Sequence, residues 1–185
     1  PVQTRDHTER MLKHFGANVE ITSKGSKNVI QLSPSNHLQA TDYTVVGDIS
    51  SAAFLIVGAL ISNSPGLEIT NVGMNPSRTG VLEALKKMGA NIEVKNQRLE
   101  SGEPCADLAV KKSTLKGVEL SGDIIPNIID EIPILSIAAA FAEGETVIRD
   151  AAELRVKESD RLKAVSDGFS SLGVVHKNFE DGMCI

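Results

Sequence analysis

The sequence has no tryptophan, one tyrosine and five phenylalanines in 185 residues. Its core must therefore be aliphatic, packed from Ile, Leu, Val and Ala, which favours helices laid against sheets. Cysteine is nearly as scarce: Cys105 and Cys184 are too few and too far apart for a disulfide framework or a metal knuckle. That usage suits a reducing compartment, and the expected location is the cytoplasm. No apolar run approaches a membrane span, the longest being Ala52 to Ile61, and Pro1 to His7 lacks the apolar core of a signal. A basic stripe is missing too. The net charge is −5 with the cations scattered, so neither nucleic acid nor a lipid surface is an expected partner. What is present, 41% hydrophobic and 23% charged residues, suits a globular chain with one sizeable core or two small ones.

One unit recurs three times. Glu9 to Ile21, Leu82 to Val94 and Leu162 to Val175 each read as a helix, a glycine stop and a strand. Leu82, Leu85 and Met88, and then Leu162, Val165, Phe169 and Leu172, fall at helical spacing, and Gly16, Gly89 and Gly173 follow as left-handed caps. Gly168 is out of place inside the third helix, where it costs about 1 kcal/mol against Ala. A second unit precedes the later two copies: Asp48 to Ile61 then Gly66 to Val72, echoed by Asp130 to Ala142 then Gly144 to Ala151. Its helices are apolar nearly all round and are expected inside a layer of sheets. An extra strand is expected near Asp107 to Val110 or Gly117 to Leu120, which makes an α/β chain with a period of about 80 residues.

Gly25, Ser26, Ser33, Pro34, Ser35 and Asn36 mark turns, and Asn96 to Pro104 reads as a solvated hairpin tip. A domain boundary is expected at Val45-Val46-Gly47, dividing residues 1–46 from 47–185. The chain starts just before a helix and ends at Gly182 to Ile185, which reads as a strand cut in mid-course. A fragment of a longer protein is expected.

The densest charge lies in Arg155-Val156-Lys157-Glu158-Ser159-Asp160-Arg161, before the third repeat helix. Ser159 is the natural N-cap, with Glu158 and Asp160 favoured beside the positive helix end. Arg155, Lys157 and Arg161 are not explained in that way, because cations there oppose the dipole. Two readings stay open: a site for phosphate and carboxylate groups, or a solvated charge run. Asp130 precedes an apolar helix with Pro133 in its first turn, so it either caps that helix or, partly desolvated, takes a proton as a general base. Asp48, Ser50 and Ser51 hold the matching place in the earlier repeat, where capping suffices. Asp6 and Glu9 are spaced as a capping box, Arg5 is a second cation at a helix start, and His7 reads as structural. Arg78 is similarly placed, lacks supporting neighbours, and is expected at the surface.

Several of these segments together resemble the EPSP synthase family. The resemblance rests on Arg5-Asp6-His7-Thr8-Glu9, Gly47 to Ala52, Asn75 to Gly80, Asp130-Glu131-Ile132-Pro133, Phe141 to Gly144 and the run Arg155 to Arg161, in order along nearly the whole chain. It implies an incomplete enolpyruvyl transferase fold, an inside-out α/β barrel of βαβαββ repeats in two domains. It also implies transfer of the enolpyruvyl group of phosphoenolpyruvate to the 5-hydroxyl of shikimate 3-phosphate, with release of phosphate. The implied roles are Asp130 and Glu158 as catalytic groups, and Arg5, Lys157 and Arg161 as substrate contacts. The implied partners are the two small substrates; no cofactor or metal is implied, and the full-length protein is expected to be a monomer. The family's Lys-Ser-x-Ser-x-Arg, Ser-Ser-Gln and Gly-Asp-His-Arg elements are not found in these residues, so the segment alone is expected to be inactive. The runner-up is a UDP-N-acetylglucosamine enolpyruvyl transferase, which normally lacks the Arg155 to Arg161 run. A reading of another class is a non-catalytic repeat module whose cations bind a stray anion or an acidic partner.

Overall fold

A computed structural model describes residues 5–25, 27–34 and 37–185, so the expected turn positions Ser26, Ser35 and Asn36, and most of the signal-free stretch 1–7, lie outside the described residues. The chain runs α1 (His7–His14), β1 (Asn18–Lys24), β2 (Lys27–Ser33), α2 (Ile49–Ile61), β3 (Leu67–Gly73), α3 (Gly80–Lys87), β4 (Asn91–Glu100) and β5 (Glu103–Lys111). It continues with β6 (Glu119–Leu120), α4 (Ile125–Ile128), α5 (Ile132–Ala140), β7 (Val147–Ile148), α6 (Arg161–Leu172), β8 (Lys177–Phe179) and β9 (Gly182–Cys184).

Of the three sheets among the described residues, two have one design. Gly47 bridges Val72 of β3 in parallel, β3 pairs antiparallel with β5, and β5 with β4. Equally, β6 lies parallel to β7, β7 antiparallel to β9, and β9 to β8. Residues from Gly47 onward thus form the same βαβαββ unit twice, as the repeat predicts. Both strands offered as alternatives for the extra one exist, as β5 and β6. The third sheet is the hairpin β1–β2, and Val19 is the only core residue among the described residues before Gly47.

The core is aliphatic apart from Phe169, and α2, α3, α5 and α6 supply most of it. Ala52, Ala53, Ile56 and Leu60 of α2 and Leu135, Ala138 and Ala139 of α5 are buried because these helices pack against one another as well as against their neighbours. Their expected all-round cover is incomplete, for Phe54, Leu55 and Phe141 are exposed. The three glycine stops take the predicted left-handed conformation, with φ of 83° at Gly16, 89° at Gly89 and 72° at Gly173.

Several local expectations are corrected. The hairpin expected at Asn96 to Pro104 is present with a shorter tip than expected: cross-strand pairing continues to Glu100 and Glu103, leaving Ser101 and Gly102, both at positive φ, as a two-residue turn. Val174 and Val175 are not a strand, because the Val174 amide closes the end of α6 on the Phe169 carbonyl and pairing with β9 begins only at Lys177. Asp160 rather than Ser159 caps α6, accepting the Lys163 amide at 2.9 Å. Asp6 makes no capping bond to α1, because it accepts from Arg10 Nε at 2.9 Å and from the Asn75 side-chain amide at 2.6 Å. Among the described residues no helix is long and apolar enough to cross a membrane.

Candidate active site

Asp130 lies in the joint between α4 and α5, two short helical pieces separated by three residues. Pro126 and Pro133 sit in the first turns of the two pieces, where proline lacks only an amide hydrogen that has no helical acceptor. The expected capping role of Asp130 fails here. Residue 131 is the cap position, no side-chain cap bond forms there, and the Glu131 amide is already held by the Ile128 carbonyl at 2.8 Å.

Cations take the carboxylate instead. Arg5 donates from Nη2 to Oδ2, and Arg161 donates from Nη1 to Oδ1 at 3.2 Å. Arg5 reaches across from two residues before α1, whereas Arg161 opens α6. The sequence predicts a carboxyl of raised proton affinity; the opposite holds. Partial burial opposes ionisation, but the Arg5 hydrogen bond and the positive charges of Arg5, Lys157 and Arg161 outweigh it, and the carboxyl sits below its ordinary value.

Arg5, Asp130 and Lys157 line one open cleft of about 290 Å³, together with Ser77, Pro126, Asn127, Ile129 and Glu153. Lys157 pairs with Glu153 at 2.7 Å. Arg161 also grips Glu158 in a two-pronged contact of 2.9 and 3.0 Å, and that hydrogen bond lowers the Glu158 carboxyl. All five sequence-predicted site residues therefore meet, Glu158 through Arg161. Arg155 does not join them. It turns to the β8–β9 hairpin, donating to the carbonyls of Glu180 and Phe179 at 2.7 Å each and to Asp160 at 3.1 Å. Its charge serves the fold.

Two residues beside the site were not anticipated. Arg78, expected at the surface, pairs with Asp48 at 2.8 Å and donates to the Ser50 hydroxyl at 2.5 Å. Its position just before a helix is the same signal that marks Arg5, and could have found it. Glu131, only 3% exposed, accepts from the Ser50 hydroxyl, and burial pushes its carboxyl up. Asp48 meets expectation by capping α2. His7 turns to the fold, with Nδ1 2.7 Å from the buried Glu103 carboxylate.

A family model described as EPSP synthase (3-phosphoshikimate 1-carboxyvinyltransferase) matches residues 2–185. Proteins named 3-phosphoshikimate 1-carboxyvinyltransferase from Desulforudis audaxviator and Synechocystis are each 52% identical, over 100% and 99% of this chain and 42% and 40% of their own lengths. An EPSP synthase structure from Acinetobacter baumannii superposes on the whole chain with a TM-score of 0.92 at 49% identity, using 41% of its own length. The enolpyruvyl transferase NikO from Streptomyces tendae, 18% identical with a TM-score of 0.69, shares the fold. The chain spans about two fifths of the length of these relatives. With its whole length matched in sequence and in structure, the chain belongs to the EPSP synthase family.

Proposed function

We propose that the full-length protein carrying this segment transfers the enolpyruvyl group of phosphoenolpyruvate to the 5-hydroxyl of shikimate 3-phosphate and releases phosphate. The observation that carries this reading is a carboxylate held between two guanidiniums, with a lysine at the same cleft. Such a site suits two anionic substrates that react through a hydroxyl group. Arg5 and Lys157 contact the phosphate of shikimate 3-phosphate and Arg161 clamps phosphoenolpyruvate. Asp130 takes the hydroxyl proton as the new carbon–oxygen bond forms, and Glu158 gives a proton to the methylene carbon in that step and takes one back from it as phosphate leaves and the double bond is restored. Substrate anions also supply what Asp130 lacks as a base. When they draw Arg5 and Arg161 onto themselves, the carboxylate loses the partners that hold its proton affinity down.

Residues up to 46 form the end of one domain and the two repeats from Gly47 belong to the other. The complete protein acts as a cytoplasmic monomer, and the 185-residue segment alone is inactive. In the full-length protein, Asp130→Asn should lower kcat by on the order of 10²-fold or more with KM values within a few fold. Turnover equal to that of the unaltered protein would remove Asp130 from the reaction.

A further inference from the structure

Asp130 and Glu131 are consecutive carboxylates with opposite surroundings. The first faces the cleft and its cations; the second is buried and points to the start of α2. Glu131 accepts from the Ser50 hydroxyl, whose oxygen accepts in turn from Arg78 Nη2 at 2.5 Å, and Arg78 Nη2 lies 2.8 Å from the Asp48 carboxylate that caps α2. This chain links the start of α2, the turn before α3 and the α4–α5 joint. Stability does not call for it, since an apolar side chain at this buried position would avoid the cost of desolvating a carboxylate that has no direct ion pair among the described residues. Asp130 makes no capping bond to its own helix, so within the α4–α5 joint Glu131 is the neighbouring side chain bonded to another element of the fold.

We propose that Glu131 is a positioning residue for Asp130: its bond to Ser50 ties the α4–α5 joint to the start of α2 and so sets the direction in which Asp130 meets Arg5 and Arg161. The inference rests on the role of Asp130 given above and adds the group that holds it. The charged groups facing the pair are Arg78 toward Glu131, and Arg5, Lys157 and Arg161 toward Asp130. Gln can accept the same hydrogen bond from Ser50, whereas Leu keeps the bulk and accepts nothing.

The test uses the full-length protein, whose unaltered form is first assayed for phosphate release from phosphoenolpyruvate and shikimate 3-phosphate. Absence of release would sink the proposed reaction, and the Asp130 titration below would still judge the inference. Glu131→Leu should lower kcat at least tenfold with KM values within threefold, Glu131→Gln should stay within threefold of the unaltered kcat, and adding Ser50→Ala to Glu131→Leu should cost nothing more. The Asp130 carboxyl, titrated through its carbon NMR signal, should lie higher in Glu131→Leu than in Glu131→Gln, two variants that remove the same charge. Equal titrations overturn the proposal whatever the activity, and so does a Gln variant as impaired as the Leu variant. Should Glu131→Leu fail to fold, Ser50→Ala alone must lower kcat several fold, and an unchanged kcat there overturns the proposal.

Discussion

At the start of α2 the Asp48 carboxylate accepts hydrogen bonds from the Ser50 and Ser51 amides at 3.3 and 3.0 Å and from the Ser51 hydroxyl at 2.8 Å; at the matching place before α5, Asp130 accepts none of these. The backbone makes the difference. Gly47 leads into α2 from a strand-like bridge, so the first amides of α2 are free and the nearest carboxylate closes on them. In the second repeat α4 runs almost directly into α5, and where Ser51 follows Asp48 by three residues, Pro133 follows Asp130 and has no amide hydrogen to offer a cap. One carboxylate holds its own helix start and adds one arginine to that, while the other makes no local bond and is held by arginines from elsewhere in the chain, as distant in sequence as Arg5. A repeat keeps its architecture and gains a site when one residue loses its local use.

The largest expected effect separates the two aspartates directly. Asp48→Ala should cost about 1 kcal/mol through the lost cap, read from thermal unfolding of the full-length protein, and should reduce turnover far less than Asp130→Asn does. Equal losses of turnover would break the comparison. Gly80→Ala probes the packing of α3 on the joint, because a Cβ there would lie 2.8 Å from both the Asn127 carbonyl oxygen and Ile128 Cγ2. It should destabilise by about 1–3 kcal/mol through overpacking.

Acid acts on both aspartates together. Asp6, Asp48 and Asp130 all lie below the ordinary carboxyl value, each held there by an arginine partner and other hydrogen bonds against the effect of burial. A lowered folded-state value means stability that is present above the unfolded value and lost as pH falls through the folded one, so unfolding should become easier below about pH 4. Glu131 has the opposite sign: burial raises it, so its contribution is full in acid and is lost as pH rises. Replacing it with Gln should therefore make acid unfolding steeper relative to neutral stability, measured by denaturant titration at both pH values. The smallest effect is favourable. Gly168 sits on the exposed side of α6 with nothing within 4 Å of an added Cβ, so Gly168→Ala should stabilise by about 1 kcal/mol.

Local chemistry made much of the fold legible. Apolar spacing placed the helices, glycines at Gly16, Gly89 and Gly173 ended three of them, and the doubled unit announced the repeat. The candidate site was legible where a residue conflicted with its local setting, as Arg5 and Arg161 do at helix starts. It was misread where a residue agreed with that setting. Asp130 looked like a cap because it precedes an apolar helix, but Pro133 stands where a cap would find an amide, and Arg5 and Arg161 take the carboxylate instead. Arg155 looked like its neighbours in the run, yet two carbonyls of the β8–β9 hairpin claim it.

The sequence by itself determined the aliphatic core, the helix–glycine–strand units, their repetition and the cluster of charge before α6, because each depends on residues within a few turns of one another. Only the tertiary structure decided which charges meet. Arg5 and Asp130 are 125 residues apart, Ser50 and Glu131 are 81, and Arg161 and Asp130 are 31. Over such separations the packing of one helix on another selects the partner, and that packing lowers the proton affinity of one carboxylate through its arginine partners while raising that of the next by burial.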